Sequence, residues 1–124
     1  MTTSHSPNIS VQNGVTVVEM TEEHKTLNES HVEAIGNCIM DLVEKADPPL
    51  MVIDLTQVEF FGSSFIEVLF RAWNKLSKRE GSAFSICRLS IYCKEVVEVT
   101  HLDRLWKVYG TAQEAVAALS VESK

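Results

Sequence analysis

The chain has 124 residues, 45% of them hydrophobic, and carries 11 Lys and Arg against 17 Asp and Glu, a formal net charge of −6. This length suits one domain with one core, and the acidic balance disfavours nucleic acid or an anionic membrane surface as a partner. There is neither an apolar run near the roughly 18 residues of a membrane span nor a signal-peptide pattern, and the three cysteines lack paired spacing, so we expect a cytoplasmic protein with reduced thiols.

The first predicted elements are two strands that follow a polar tail. Residues 1–8 are small and polar, and we expect them to be disordered. Alternating apolar residues flank Asn13-Gly14, a dipeptide typical of a tight hairpin turn. The pattern predicts antiparallel strands at about residues 8–12 and 15–20, and then a charged loop over residues 21–27.

A helix is predicted next. Ser30 and Glu33 have the spacing of a capping box, with Ser30 at the N-cap. Asp47-Pro48-Pro49 stops the helix, because the residue before a proline disfavours the helical conformation. Between these limits, apolar residues recur on one helical face: Ile35, Cys38, Ile39, Leu42, Val43 and Ala46.

The apolar run over residues 50–55 does not alternate, so it predicts a central strand buried on both faces. Asp54 is its one charged residue. A lone carboxylate near a strand end is expected to accept a hydrogen bond from a neighbouring turn rather than to act in catalysis.

The stretch Gly62-Ser63-Ser64 separates that strand from an amphipathic helix that begins near Phe65. Unpaired N–H groups and the positive end of the helix dipole meet at such a position, which would stabilise a phosphate on a serine there. The alternative is that the serines only cap the helix. Phe65 and Val68 widen the apolar stripe of this helix, either because it is buried on a sheet or because both residues contact a partner. Gly81 is predicted to end it.

The last elements continue the alternation of strands and helices. We expect a strand over residues 83–87 and then a short helix capped by Ser90, with Val96, Val97 and Val99 inside. An edge strand is expected around residues 105–109. The capping box of Thr111 and Glu114 opens a final helix, which should fray at residues 121–124. This order predicts an α/β fold with a mixed sheet. The four histidines are scattered, and no phosphate loop, zinc pattern or nucleophile elbow is present, so we expect no enzyme activity, cofactor or metal.

The segment from Val52 to Ile66, Val-Ile-Asp-Leu-Thr-Gln-Val-Glu-Phe-Phe-Gly-Ser-Ser-Phe-Ile, resembles the signature of the STAS domain family. The best known members are bacterial anti-sigma factor antagonists, with the pattern apolar-Asp-Leu-Ser-x-Val-x-Phe-apolar-Asp-Ser-Ser-Gly-Leu. The tail from Val96 to Leu119 is similar to the family's ending. The resemblance covers about residues 9–120. It implies a single domain with a mixed sheet of four to five strands and about four helices packed mainly on one side.

The resemblance also implies a function. An antagonist of this type binds an anti-sigma factor, a serine kinase with a histidine-kinase-like ATPase fold, and phosphorylation of one serine breaks that complex. By motif position the serine is Ser63. The implied partner-binding residues are Gly62, Ser63, Ser64, Phe65, Glu67 and Val68, with Asp54 and Thr56 in structural roles nearby. A monomer or weak dimer without membrane insertion is expected.

Three positions depart from the family pattern: Gly62 replaces an aspartate, Phe65 a glycine and Glu67 a small residue. Ser64 and Glu67 have capping-box spacing, which makes Ser64 the cap and leaves the Ser63 hydroxyl free. Glu67 would repel a phosphate, and Phe65 would obstruct a kinase. These departures favour an alternative, an unphosphorylated scaffold subunit of a larger assembly such as a lipid-transport or signalling complex. A nucleotide sensor is a further alternative, although no phosphate loop supports it.

Overall fold

The computed structural model describes residues 7–21, 27 and 29–122; for residues 121 and 122 it describes the backbone alone. Of the tail over residues 1–8 that was predicted to be disordered, residues 1–6 lie outside the described residues, as do most of the predicted loop over 21–27 and the extreme C-terminus, whereas Asn8 lies in a strand. The elements are strands β1 (Asn8–Gln12), β2 (Val15–Glu19), β3 (Leu50–Asp54), β4 (Ala83–Cys87) and β5 (Lys107–Tyr109), and helices α1 (Glu29–Lys45), α2 (Ser63–Leu76), α3 (Ile91–Val99) and α4 (Ala112–Glu122), with a short 3-10 helix at Leu102–Arg104.

The five strands form one mixed sheet in the order β1-β2-β3-β4-β5. β1 and β2 are antiparallel, and the remaining three neighbouring pairs are all parallel. The turn between β1 and β2 places Asn13 and Gly14 at φ 51° and 83°, the left-handed conformation that a two-residue hairpin turn of this kind requires. All five residues of β3 are buried, as the absence of alternation in its sequence predicts.

The two faces of the sheet are covered unequally. Val18, Met51, Ile53 and Ile86 face a large core that includes residues of α1, α2 and α3. The alternate residues of the same strands face a smaller core closed by α4 through Ala112, Ala115, Val116 and Leu119. The predicted α/β fold, a mixed sheet with helices mainly on one side, is confirmed.

Three local predictions are wrong. Ser30 lies within the first turn of α1, which begins at Glu29, so it is not the N-cap. α2 ends at Leu76 rather than near Gly81, because the N–H of Arg79 bonds to the Leu76 carbonyl three residues back and the chain continues in turns. Val99 is 71% exposed, since it lies two residues beyond Val97 and therefore on the opposite side of α3.

Phe65, which was predicted among the partner-binding residues, is buried. Its side chain is 0% exposed and packs on Phe61, with the ring centroids 5.3 Å apart. These two rings anchor the connection between β3 and α2 to the large core. Phe60, in contrast, is 52% exposed.

The connection contains a matched pair of phenylalanines, one buried and one exposed. We expect Phe65→Ala to lower the free energy of unfolding by about 3–5 kcal/mol, because it removes a buried ring and leaves a cavity. Phe60→Ala should change it by about 0.5 kcal/mol or less. Denaturant unfolding followed by circular dichroism measures both, and equal losses in the two variants would contradict the placement of these rings.

The capping box at the start of α4 forms as predicted. The Glu114 N–H donates to Thr111 Oγ1 at 3.1 Å, and Glu114 Oε1 accepts from the Thr111 N–H at 3.2 Å. We expect Thr111→Ala to cost about 1 kcal/mol of stability, because an N–H of the first turn loses its acceptor. Thr111→Ser keeps the hydroxyl and serves as the control in the same unfolding measurement. A Thr111→Ala variant as stable as Thr111→Ser would show that the box contributes nothing.

Candidate functional site

The site begins at Asp54, the last residue of β3, which is 1% exposed. Its Oδ1 accepts a hydrogen bond from the N–H of Thr56 at 3.0 Å, so the prediction that it bonds to a neighbouring turn is confirmed. Burial raises the pKa of Asp54 above its ordinary value, and Arg88 and the Thr56 N–H oppose that shift without cancelling it. Asp54 therefore organises the turn that follows β3 and faces away from solvent.

Arg88 joins the same turn from the next strand. Its Nη1 donates to Thr56 Oγ1 at 3.4 Å, and its Nε lies 3.9 Å from Asp54 Oδ2. The backbone of Arg88 has φ 56°, an uncommon conformation for a residue other than glycine. This bend at the end of β4 aims the guanidinium across the sheet edge towards β3.

A second set of bonds fastens the β3–α2 loop to the start of α3. The Ser90 hydroxyl donates to the Glu59 carbonyl at 2.8 Å and accepts from the Cys93 N–H at 3.2 Å, so one side chain caps α3 and holds the loop. The Cys93 thiol lies 3.9 Å from the Val58 carbonyl, in position to donate to it. Ser90 was predicted as the α3 cap, and that prediction is confirmed. Its contact with Glu59 joins residues far apart in the chain.

Ser63 is the first residue of α2, and Gly62 is the N-cap. No side chain caps this helix, so the prediction that Ser64 is the cap is wrong. The reason is register: α2 begins two residues before Phe65, which puts Ser64 inside the first turn. Both serines are exposed, and neither hydroxyl bonds to any residue that the structure describes. The first N–H groups of α2 therefore remain available.

Glu67 does not reach back to the helix N-terminus as its capping-box spacing suggests. Its carboxylate lies 3.8 Å from Arg71, one turn further along α2. Val68 is half-buried and faces α1. Of the predicted partner-binding residues, Gly62, Ser63 and Ser64 share an exposed surface, Glu67 and Val68 lie on the side of α2 towards α1, and Phe65 supports the surface from beneath.

Sequence reasoning missed three exposed apolar side chains, of which Phe60 lies three residues before Ser63 in the chain. Phe60 is 52% exposed, Ile91 83% and Tyr92 66%. The hydrogen bond between Ser90 and Glu59 holds the loop that carries Phe60 next to the start of α3, which carries Ile91 and Tyr92. The sequence did contain a signal for their exposure. Cys93 and Val97, one helical turn apart, form the inward face of α3, and Ile91 and Tyr92 do not lie on that face.

The chemistry of the site is that of a binding surface. Burial raises the pKa of the Cys87 thiol to about 12, with the adjacent Asp54 charge acting in the same direction, so this cysteine is a poor nucleophile. Among the described residues, no three His, Cys, Asp or Glu side chains are grouped to hold a metal ion. None of the helices in the described ranges is long and apolar enough to span a bilayer.

Solved structures with the same fold include two proteins described as antagonists. An anti-sigma-factor antagonist (STAS) domain protein from Planctomyces limnophilus is 38% identical, with a TM-score of 0.87 over 93% of this chain and 98% of its own. An anti-sigma factor antagonist from Mycobacterium paratuberculosis is 25% identical, with a TM-score of 0.80 over 96% and 98%. A sulfate transporter family protein from Wolinella succinogenes, 14% identical over 91% of this chain and 90% of its own with a TM-score of 0.73, shares the fold alone.

Family membership rests on a match of the whole domain. No functionally curated protein matches the chain. The model of the STAS domain matches residues 6–115, which include all five strands and the first turn of α4. With this match and the 38% identical structure, the chain belongs to the STAS domain family.

Proposed function

We propose that this protein is an anti-sigma factor antagonist that acts by partner switching. It binds an anti-sigma factor through the surface at the N-terminus of α2, and phosphorylation of Ser63 releases that partner. The observation that carries the proposal is the position of Ser63, an exposed serine at the first residue of a helix whose N-cap, Gly62, offers no side-chain hydrogen bond. The similarity to two proteins described as antagonists supports it.

A phosphate on Ser63 would act in two ways. In the free protein, the open N–H groups and dipole of α2 would stabilise the anion by about 0.3–1 kcal/mol. In a complex, a group of charge about −1.5 to −2 would have to lose water within the contact surface. A penalty of about 3 kcal/mol there weakens binding roughly a hundredfold, enough to exchange one partner for another.

The departures from the family pattern are compatible with phosphorylation in the folded protein. A Cβ built at Gly62 would have no atom within 4 Å, so the space beside Ser63 is open. Phe65 is buried and does not obstruct access to the hydroxyl. Glu67 lies beside Arg71, so its charge is directed along α2 and away from the first turn.

The apolar group at Phe60, Ile91 and Tyr92 supplies the binding energy that this function needs. Exposed aromatic and aliphatic side chains in a cluster are typical of contact surfaces, and a few such anchors carry most of the affinity of an interface. Phe60 lies three residues before Ser63, and the Ser90–Glu59 bond holds the start of α3 against the same loop, so a partner on this surface would approach Ser63. The partner that fits is an anti-sigma factor or serine kinase with a histidine-kinase-like ATPase fold, met in the cytoplasm by a monomer or weak dimer.

The switch is tested by charge at residue 63. We expect Ser63→Asp to weaken binding to the anti-sigma factor at least tenfold and Ser63→Ala to leave it within about threefold, as titration calorimetry would measure. Ser10→Asp introduces the same charge on the exposed face of edge strand β1 and should bind like the parent. If Ser63→Asp binds as tightly as the parent, the switch is wrong and a constitutive scaffold subunit becomes the better function.

The modification itself is tested with the partner kinase and ATP. We expect peptide mass spectrometry to find one phosphoryl group at Ser63, none in Ser63→Ala, and an unchanged modification in Ser64→Ala, because only the hydroxyl at the first residue of α2 is proposed to receive the phosphate. A phosphate on Ser64, or none on either serine with a kinase that binds the protein, would contradict the assignment of Ser63.

A further inference from the structure

An open groove of about 330 Å³ lies between α1 and α2, beginning beside Ser64. The two helices approach closely at its floor because residue 36 is a glycine; a Cβ there would lie 3.3 Å from Cγ2 of Val68. Val32 and Met40 of α1 add further apolar surface. The groove thus has an apolar floor next to the proposed switch surface, but on a different side of α2.

The rim of the groove is acidic. Glu29, Glu33 and Glu67 line it, and the one cation among its lining residues is Arg71, which pairs with Glu67. Glu29 and Glu33 are one helical turn apart on α1, a spacing at which like charges repel. Neither forms an ion pair with any residue in the described ranges. Two carboxylates on one side of an apolar floor therefore have no counter-charge among the residues that the structure describes.

We propose that this groove binds a basic, partly apolar segment of the protein partner. Lysine or arginine side chains of that segment lie against Glu29 and Glu33 and relieve their mutual repulsion. An aliphatic side chain of the segment rests on the floor formed by Val32, Met40 and Val68. Charge complementarity selects the occupant, because an acidic or neutral segment would leave both carboxylates unpaired and partly desolvated.

The partner is that of the proposed function, so the inference rests on that function in this one respect. A phosphate on Ser63 would affect binding at the groove and binding at the switch surface in opposite directions. A phosphate near an acidic groove increases its attraction for a basic segment, whereas it opposes contact at the apolar group of Phe60, Ile91 and Tyr92. Phosphate should therefore not weaken the groove contact itself, and release of the partner comes from the loss of the contact at the switch surface.

A model peptide tests the groove without the natural partner. The probe is a synthetic amphipathic peptide with leucines on one face and lysines and arginines beside them, and its control is the same peptide with glutamate in place of every basic residue. In NMR titrations of the whole labelled chain, we expect the basic peptide to shift amides at residues 29–40 and 64–71, and the acidic peptide to shift none. Raising the ionic strength from about 0.05 M to about 0.5 M should weaken the binding.

Charge reversal on the rim completes the test. Glu33→Lys should weaken binding of the basic peptide at least about fivefold, and Glu33→Gln should have an intermediate effect. Glu80→Lys changes the net charge equally but lies in the turn after α2, and it should bind within about twofold of the parent. Both positions are exposed, and circular dichroism would verify that each of the three variants folds.

The inference is overturned if the acidic peptide binds equally well, if the shifts fall on Phe60 and Tyr92 instead, or if Glu80→Lys weakens binding as much as Glu33→Lys. The proposed function is judged separately. Loss of anti-sigma factor binding in Ser63→Asp with no effect of Glu33→Lys on either ligand would retain the switch and remove the groove. If the basic peptide binds in the groove but Ser63→Asp does not change anti-sigma factor binding, the groove is retained and the switch is removed.

Discussion

Burial of β3 along its whole length is the constraint on which the site depends. Because β2 and β4 pair with it on both sides and helices cover both of its faces, all five residues of β3 are buried and the chain can reach the surface only beyond the end of the strand. The chain leaves the core there through Asp54, whose carboxylate holds the first turn, and returns to it through Phe61 and Phe65. Between these anchors, Leu55 and Val58 remain buried, whereas Glu59, Phe60 and the start of α2 at Ser63 are exposed.

Two contacts between distant segments keep that loop in place. Arg88 reaches Thr56 from the end of β4, and Ser90 bonds to the Glu59 carbonyl while it caps α3. The loop, the start of α2 and the start of α3 therefore form one supported surface. A charge placed on Ser63 would act on this surface by local electrostatics and contact loss, without any change in the core beneath it.

The molecule presents two surfaces of different chemistry on either side of the α2 N-terminus. One is apolar, at Phe60, Ile91 and Tyr92, and the other is the acidic groove between α1 and α2. A partner that contacts both would gain anchoring area from the first and charge selectivity from the second. Such a division would allow affinity to be switched at one surface while specificity is held at the other.

Local pattern alone was enough for the order of the elements, the hairpin at Asn13-Gly14, the central strand and the capping box of Thr111, because each depends on neighbours in the chain. The signature around Ser63 likewise identified the family. The start of α2 could not be assigned from spacing, since Ser64 and Glu67 match a capping box in sequence while tertiary packing of Phe65 sets the helix register two residues earlier.

Only the tertiary structure decided which side chains of the site face solvent. Phe60 and Phe65 are the same residue type five positions apart, and their burial differs because one faces outward from the loop and the other packs on Phe61. The bond from Ser90 to Glu59 and the meeting of Glu33 with Glu67 across the groove join residues about 30 positions apart, which no local pattern encodes. Sequence determined the serine and the helix that carries it; three-dimensional packing determined what surrounds it, because surroundings are contacts between segments that the chain brings together only on folding.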